Sequence, residues 1–243
     1  MALHDSSIIE LRGVSRFPPR NERPLESAVH EIDLRVAPGS LLWLEGPAGG
    51  GKELLFRLLS LSEFTEAGEV LVEARCCQAL PHPEIAELRA RKFGFVAAAP
   101  FLIPTFNAIE NIAVPMLKIT HKTMPEAQDR IAELLAFTGL VGKEERPAAE
   151  LCALDQARLT LARALANEPV AIFVEDLEGV LAPDETAVLT DLLRRACSTF
   201  GPAVIALGGG AAPDERRVEI ADGRIERDSA LFGSSIASGL PSA

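Results

Sequence analysis

A glycine-rich loop contains the residues of this sequence that are best suited to chemistry. The loop consists of Gly46, Pro47, Ala48, Gly49, Gly50, Gly51 and Lys52. It fits the pattern G-x-x-x-x-G-K, in which glycines let backbone N–H groups face a phosphate and the lysine neutralises its oxygens. The pattern continues with Ser or Thr, whose hydroxyl binds Mg²⁺, whereas this chain has Glu53. Because a carboxylate repels phosphate and is a different metal ligand, we predict a phosphate cradle with altered metal chemistry.

The segments on either side of the loop decide between a phosphate cradle and a merely flexible turn. Residues 41–45 form a short apolar run, and residues 53–59 are good helix formers. This order of strand, loop and helix is the context that the motif requires. It predicts the phosphate-binding architecture and leaves open whether nucleotide still binds.

A second feature with chemical potential is a pair of carboxylates at the end of an apolar run. Residues 170–174 predict a buried parallel strand, and Glu175 and Asp176 follow it directly. Ligand sites in α/β proteins lie at the carboxyl ends of such strands. We therefore predict that this strand delivers two carboxylates to a functional site.

The elements around these motifs predict an α/β fold in one large domain, residues 1–228. Residues 8–14 and 32–36 alternate apolar and polar side chains, which predicts an antiparallel β layer near the N-terminus. A proline-rich connection, 17–24, lies between them. Further strands are predicted at 69–72, 93–96 and 203–207, and as two short strands around an Asp-Gly turn at 217–226.

The helical part of the pattern lies mainly in the middle of the chain. Residues 107–140 have a helical pattern punctuated by prolines and Gly139, which predicts a helical subdomain over about residues 100–165. Other helices are predicted at 83–92, 150–167 and 183–200. The Ser- and Gly-rich tail, 229–243, is predicted to be disordered.

Composition narrows the classes of function. The chain has 243 residues, of which 48% are hydrophobic, enough to bury a sizeable core. Its 24 Lys and Arg against 35 Asp and Glu give a net charge of -11, which disfavours nucleic-acid binding. Without an apolar run of about 18 residues or a charged leader, we expect a cytosolic protein. The four cysteines and four histidines lack the spacing of metal ligands.

The order of these segments resembles the nucleotide-binding subunit of ABC transporters, over residues 8–227. Within that family it is most similar to the branch that serves lipoprotein-release, macrolide-export and cell-division type permeases. The segments that carry this second resemblance are 94–96, 102–105, 109–115 and 161–169. The resemblance implies a P-loop NTPase fold of ABC type, with a mixed sheet, the N-terminal antiparallel layer and the helical subdomain. It also implies an integral-membrane permease as partner, with location at the inner face of the cell membrane through that permease.

In the family, ATP with Mg²⁺ is bound between two subunits, which form a homodimer or a heterodimer with another ABC ATPase. By resemblance, the seven loop residues would hold the phosphates and Phe17 would stack on adenine. Glu53 and Glu175 would be the metal-associated carboxylates, and Asp176 would be the general base. Whether ATP and Mg²⁺ are still bound stays open at this point.

This chain departs from the family pattern at several functional positions. The glutamine that reports nucleotide to the permease falls on Ala98, and the histidine that holds the γ-phosphate falls on Gly209. The signature segment LSGGQ falls on 151–155, where we expect the charge of Asp155 to oppose a phosphate. The D-loop aspartate falls on Ala182, and the usual Asp-Glu pair is inverted to Glu175-Asp176. These changes affect metal, γ-phosphate and base together, so we predict a pseudo-ATPase with a structural or regulatory role.

Two other functions remain as alternatives. A divergent but active ATPase could use Glu53 as a metal ligand and Glu175 or Asp176 as base. An unrelated P-loop kinase or GTPase lacks support, because no further motif of those classes is present. The apolar segment 101–109 predicts either contact with a permease or simply core.

Overall fold

The computed structural model describes residues 7–17, 28–99, 101–177, 180–209, 212 and 215–232. The strands are β1 (Ile9–Arg16), β2 (Val29–Val36), β3 (Leu41–Glu45), β4 (Ala67–Val72), β5 (Arg75–Cys76), β6 (Phe93–Val96), β7 (Ala171–Val174), β8 (Ala203–Leu207), β9 (Arg216–Ala221) and β10 (Arg224–Asp228). The helices are α1 (Lys52–Leu59), α2 (His82–Lys92), α3 (Ala108–Ile119), α4 (Met124–Thr138), α5 (Ala153–Leu165), α6 (Pro183–Phe200) and α7 (Ser229–Phe232).

The first sheet is the predicted N-terminal antiparallel layer. Its strand order is β2-β1-β4-β5, and every neighbouring pair is antiparallel. In β2, buried and more exposed residues alternate, so that Ile32, Leu34 and Val36 face the core. This is the pattern expected of an antiparallel sheet with one solvated face, and it confirms the strand predictions at 8–14 and 32–36. The predicted proline-rich connection, beyond Phe17, lies outside the described residues.

The second sheet positions the loop and the acid pair. Its order is β10-β9-β3-β8-β7-β6, parallel from β9 to β6, with β10 antiparallel at the edge. The turn between β9 and β10 is the predicted Asp-Gly turn, with Asp222 and Gly223 at φ 47° and 73°. Because β3, β7 and β8 run in the same direction, the segments that follow them meet at one edge of the sheet.

The two faces of this sheet pack against different helices. Leu42, Leu44, Phe173 and Ile205 lie in one core together with α1. Trp43, Ile172, Val174, Val204 and Ala206 face the other way and join the core of α3 to α6. The phosphate loop leads into α1, so it belongs to the first face, and α6 covers the second.

The region predicted to be helical, 107–140, contains helices with recognisable end signals. At the start of α3, the Asn107 side chain accepts from the Glu110 N–H and the Glu110 carboxylate accepts from the Asn107 N–H. The helix α4 ends at Gly139, in the left-handed region at φ 74°. The predicted helical region 107–140 is thus two helices.

Two sequence expectations need correction at their boundaries. The helix predicted from residue 150 begins at Ala153, because Ala148–Glu150 forms a separate 3-10 turn. The tail predicted to be disordered from residue 229 starts with the short helix α7, whose Ser229 hydroxyl accepts from the Arg217 N–H. Residues 233–243 lie outside the described part of the chain.

Candidate functional site

The glycine-rich loop follows β3 and is held by backbone contacts. Gly46 has φ 144°, and a Cβ built there would lie 2.1 Å from the Ile220 carbonyl oxygen. No side chain fits at that distance, so Gly46 permits the close approach of loop and β9. The Gly50 carbonyl accepts from the Gly223 N–H at 2.9 Å, and the Gly50 N–H donates to the Pro47 carbonyl at 3.0 Å. The β9–β10 hairpin therefore braces the loop.

The end of the loop is the beginning of α1. Gly51, at φ 108°, precedes the helix and makes no side-chain cap, so the first N–H groups of α1 stay available for an anion. The Lys52 side chain is 17% exposed, and its Nζ lies 3.9 Å from Glu53 Oε1. The backbone cradle and Lys52 fit a phosphate group, whereas Glu53 places a negative charge in the first helical turn and beside the lysine.

The acid pair lies at the carboxyl end of β7, where the sequence places it. Glu175 Oε2 accepts a hydrogen bond from the Ala98 N–H at 3.0 Å. This contact follows from the register of β6 and β7, which pairs Val96 with Val174. Asp176 Oδ1 lies 3.4 Å from the point where a Cβ on Gly208 would be. The structure thus brings Glu175 and Asp176 to the ends of the neighbouring strands β6 and β8.

Small residues occupy three further positions at which the chain departs from the family pattern: Ala98, Ala182 and Gly209. A Cβ built on Gly209 would have no atom of the described residues within 4 Å. Ala98 contributes a backbone N–H and no polar side chain. Ala182 precedes α6, and its N–H donates to the Glu185 carboxylate at 3.0 Å. At these three positions the chain offers backbone groups alone.

The segment 151–155 contradicts one expectation from sequence. Cys152 and Ala153 are exposed at the start of α5, but Asp155 is buried. Its carboxylate pairs with the Lys143 ammonium, and with an Arg158 guanidinium nitrogen at 3.2 Å. Burial raises the pKa of Asp155, but hydrogen bonds from Lys143, Cys152 and Arg158 and the charge of Lys143 outweigh burial and lower it. We predicted that this charge would oppose a phosphate; instead, it is neutralised within the helical subdomain.

Phe17 lies at the end of β1 with its side chain 45% exposed. Its ring meets the His30 ring edge to face, with 5.1 Å between the centroids. An exposed aromatic ring is suitable for stacking on a base, so adenine contact stays a prediction for Phe17. Glu53 and Glu175 likewise remain predicted metal ligands, and Asp176 remains the predicted general base. Within the described ranges, no three His, Cys, Asp or Glu side chains group together as a metal site.

Sequence patterns missed a buried network on the other face of the sheet. Trp43 Nε1 donates to Glu215 Oε2 at 2.9 Å, and the Ala212 N–H donates to the same oxygen at 2.8 Å. Arg194 of α6 pairs with the other carboxylate oxygen. Burial raises the pKa of Glu215, but the bonds from Arg194, Ala212 and Trp43 and the Arg194 charge lower it overall. Because Trp43 and Glu215 lie far apart in sequence, no local pattern indicated the contact.

The profile of the ABC transporter family matches residues 29–176, more than half of the chain. This range includes both the loop and the acid pair. The chain belongs to the ABC transporter family. The family resemblance seen in the sequence is thereby confirmed.

Two relatives of this ABC cassette agree with the branch inferred from sequence. The chain is 32% identical over 222 residues to "Lipoprotein-releasing system ATP-binding protein LolD 2" of Caulobacter vibrioides, covering 90% of this chain and 96% of that protein. It is 33% identical over 227 residues to "Macrolide export ATP-binding/permease protein MacB" of Nitrosomonas europaea, covering 91% of this chain and 34% of that longer protein. The chain is therefore an ABC nucleotide-binding cassette similar to these two ATP-binding proteins.

Solved structures confirm the P-loop NTPase fold of ABC type. The dimeric bacterial ABC transporter cassette MJ0796 superposes with a TM-score of 0.74 at 25% identity, covering 90% of this chain and 97% of that one. CbiO1 from Clostridium perfringens superposes with a TM-score of 0.81 at 16% identity, covering 94% and 92%. None of the helices in the described part of the chain has the length and hydrophobicity of a membrane span.

Proposed function

We propose that this ABC cassette is a pseudo-ATPase subunit with a structural or regulatory role on a membrane permease. The observation that carries the proposal is the contact of Glu175 with the Ala98 N–H at 3.0 Å. One oxygen of the carboxylate expected to associate with the metal accepts this bond from the segment where the nucleotide-reporting glutamine is replaced by alanine. With Gly209 in place of histidine, the γ-phosphate loses a further side-chain contact. Each lost transition-state contact costs about 3 kcal/mol, so turnover falls toward background.

Phosphate binding is the part of the family function that this chain retains in our proposal. The glycine cradle, the free N–H groups at the start of α1 and Lys52 supply hydrogen-bond donors and a positive charge. Mg²⁺, when bound with ATP, supplies charge neutralisation on the phosphate oxygens. Glu53 and Glu175 are the carboxylates that would face it, and Asp176 is the residue left in the position of the base.

Docking on a permease is supported by the apolar segment 101–109. Phe101 is 76% exposed, whereas Leu102 and Ile109 are partly buried against the helical core. The segment is thus core along part of its length and exposes one large aromatic side chain at its start, where we place the contact with the permease. The relatives are called ATP-binding proteins of a lipoprotein-releasing system and of macrolide export. By analogy we place this chain at the inner face of the cell membrane, paired with a second cassette of its own or another kind.

The decisive experiment separates nucleotide binding from turnover. Calorimetry measures ATP binding with and without Mg²⁺, and phosphate release measures hydrolysis, for the wild type and Lys52→Ala. We expect binding that weakens at least tenfold in Lys52→Ala, and no hydrolysis that depends on Lys52. Hydrolysis that Lys52→Ala abolishes would contradict the proposal.

That contrary outcome would support the second candidate, a divergent but active ATPase. It is favoured by the position of Glu175 and Asp176 at the same sheet edge as the loop. In that case Asp176→Asn would remove turnover while leaving ATP binding unchanged. The same pair of assays therefore distinguishes the two candidates.

A further inference from the structure

A cavity of about 570 Å³ opens on the face of the second sheet that α6 covers. Its walls come from β3, β7, β8 and α6 and from the segments that follow β7 and β8. The apolar part of its lining includes Trp43, Val174, Leu181, Leu189 and Leu193. The volume lies in the range of small-molecule sites, which are also mostly apolar with a few polar groups.

This cavity shares Glu175, Asp176 and Gly209 with the acid edge described above, but it lies on the other face of the sheet from α1. Trp43 and Val174 belong to the core of α3 to α6, whereas α1 belongs to the core on the opposite face. None of the seven loop residues lines it. A ligand here would therefore not occupy the phosphate cradle.

The two glycines after β8 contribute to the room in this cavity. Gly208 and Gly209 both line it, and a Cβ on Gly209 would meet no atom of the described residues within 4 Å. A larger side chain at position 209 would therefore have room among the described lining residues. In our proposed function, glycine at position 209 removes a side-chain contact to the γ-phosphate. The absence of a side chain there also adds to the volume of this cavity.

The polar end of the cavity is acidic. Glu175 and Asp176 line it, and no Lys, Arg or His is among its described lining residues. Thr186 and Thr190 of α6 add hydroxyl groups, while the rest of the α6 wall is apolar. A carboxylate end and an apolar body complement a ligand with a cationic head and an apolar tail.

We propose that this cavity is a binding site for small amphipathic amines, with the ammonium group at Glu175 and Asp176 and the apolar tail against Trp43 and α6. Two features select this class over others. Anionic molecules would meet two like charges, and fully polar cations would leave the apolar walls without a partner.

The chain provides its own reporter for occupancy. Trp43 is the only tryptophan of the sequence, which has no tyrosine, and it is 5% exposed. Its fluorescence on excitation at the red edge therefore comes from a single side chain that lines this cavity. Titration with hexylammonium, hexanol and hexanoate, without nucleotide, compares a cationic, a neutral and an anionic head group on an alkyl chain of similar length.

We expect a saturable change in Trp43 fluorescence with hexylammonium, and at least tenfold weaker binding of hexanoate. In the double variant Glu175→Gln with Asp176→Asn, the preference for hexylammonium over hexanol should fall below twofold. Equal binding of all three probes to the wild type would overturn the assignment of the ligand class. No saturable change with any probe would overturn the site itself.

Filling the cavity provides the structural control. Gly209→Leu and Thr186→Leu each add a side chain at a lining position, and each should weaken hexylammonium binding at least tenfold. Val188→Leu, on the same helix but outside the lining, should bind as the wild type does. Thermal unfolding checks that each variant is folded, and Thr186→Leu decides if Gly209→Leu does not fold. Unchanged binding in the folded filling variants would contradict the proposal, and it would leave the ATP-binding result of the proposed function untouched.

Discussion

The phosphate loop and the edge formed by Glu175, Asp176 and Gly209 follow parallel strands of one sheet, yet they are held in different ways. The loop is shaped by backbone contacts, such as the approach of Gly46 to Ile220 and the bond between Gly50 and Gly223. At the acid edge, the side-chain contact of Glu175 is with the chain's own Ala98 N–H. The shape of a backbone cradle is therefore kept when neighbouring side chains are replaced. A site whose function depends on side chains loses that function when those side chains are replaced.

The largest effect that tests this comparison is expected for glycine substitution in the loop. Gly46→Ala places a Cβ 2.1 Å from the Ile220 carbonyl oxygen at φ 144°, so the loop or β9 must move. We expect the free energy of unfolding to fall by about 3 kcal/mol. Urea denaturation measures it. Gly209→Ala is the matched control, because its Cβ meets no atom of the described residues and stability should change by less than about 0.5 kcal/mol. Equal costs at both positions would break the comparison.

The second largest effect on stability is expected in the network that Glu215 forms with Trp43 and Arg194. Glu215→Gln removes the charge that Arg194 pairs with, and we expect a loss of about 2 kcal/mol in unfolding free energy at neutral pH. Urea denaturation followed by Trp43 fluorescence measures it. An unchanged midpoint would show that Arg194 and Trp43 need no partner there.

The same substitution should change the response to acid. The pKa of Glu215 is lowered in the folded protein, so its contribution is present above the ordinary pKa of a glutamate. It is lost as the pH falls through the lowered value. Denaturation midpoints from neutral to acidic pH should therefore decline less in Glu215→Gln than in the wild type. Parallel declines would contradict the lowered pKa.

A smaller effect is expected where the loop does depend on a side chain. Glu53→Ser removes a negative charge in the first turn of α1 and supplies the hydroxyl of the phosphate-loop pattern. We expect ATP affinity to rise about fivefold, or about 1 kcal/mol, with no gain in turnover. Calorimetry and phosphate release measure the two quantities. Substantial turnover in this single variant would show that the acid edge is still competent.

The smallest effect is expected from replacing the missing histidine. At Gly209 a Cβ meets no atom within the described ranges and the backbone is not left-handed, so Gly209→His should change stability by less than about 0.5 kcal/mol. Hydrolysis should stay at background, because Ala98, Ala182 and the signature segment are unchanged. If this variant alone restores turnover, the losses at the acid edge are not cumulative.

Much of the fold was predictable from local patterns. The alternation in 8–14 and 32–36, the Asp-Gly turn and the prolines and glycine of 107–140 all correspond to observed elements. Periodicity and turn residues act over a few positions, so sequence is sufficient for them. The predicted boundaries were less accurate. A 3-10 turn precedes α5 within the predicted helix, and the short helix α7 begins where the tail was predicted to be disordered.

By itself the sequence determined the phosphate loop, its flanking strand and helix, and the delivery of two carboxylates at a strand end. The tertiary structure alone decided what those charges contact: Asp155 pairs with Lys143 and Arg158, Glu175 bonds to Ala98, and Glu215 joins Trp43 to Arg194. The reason is physical. Local conformation depends on neighbouring residues, but the partner of a charged side chain depends on which strands and helices the sheet order brings together.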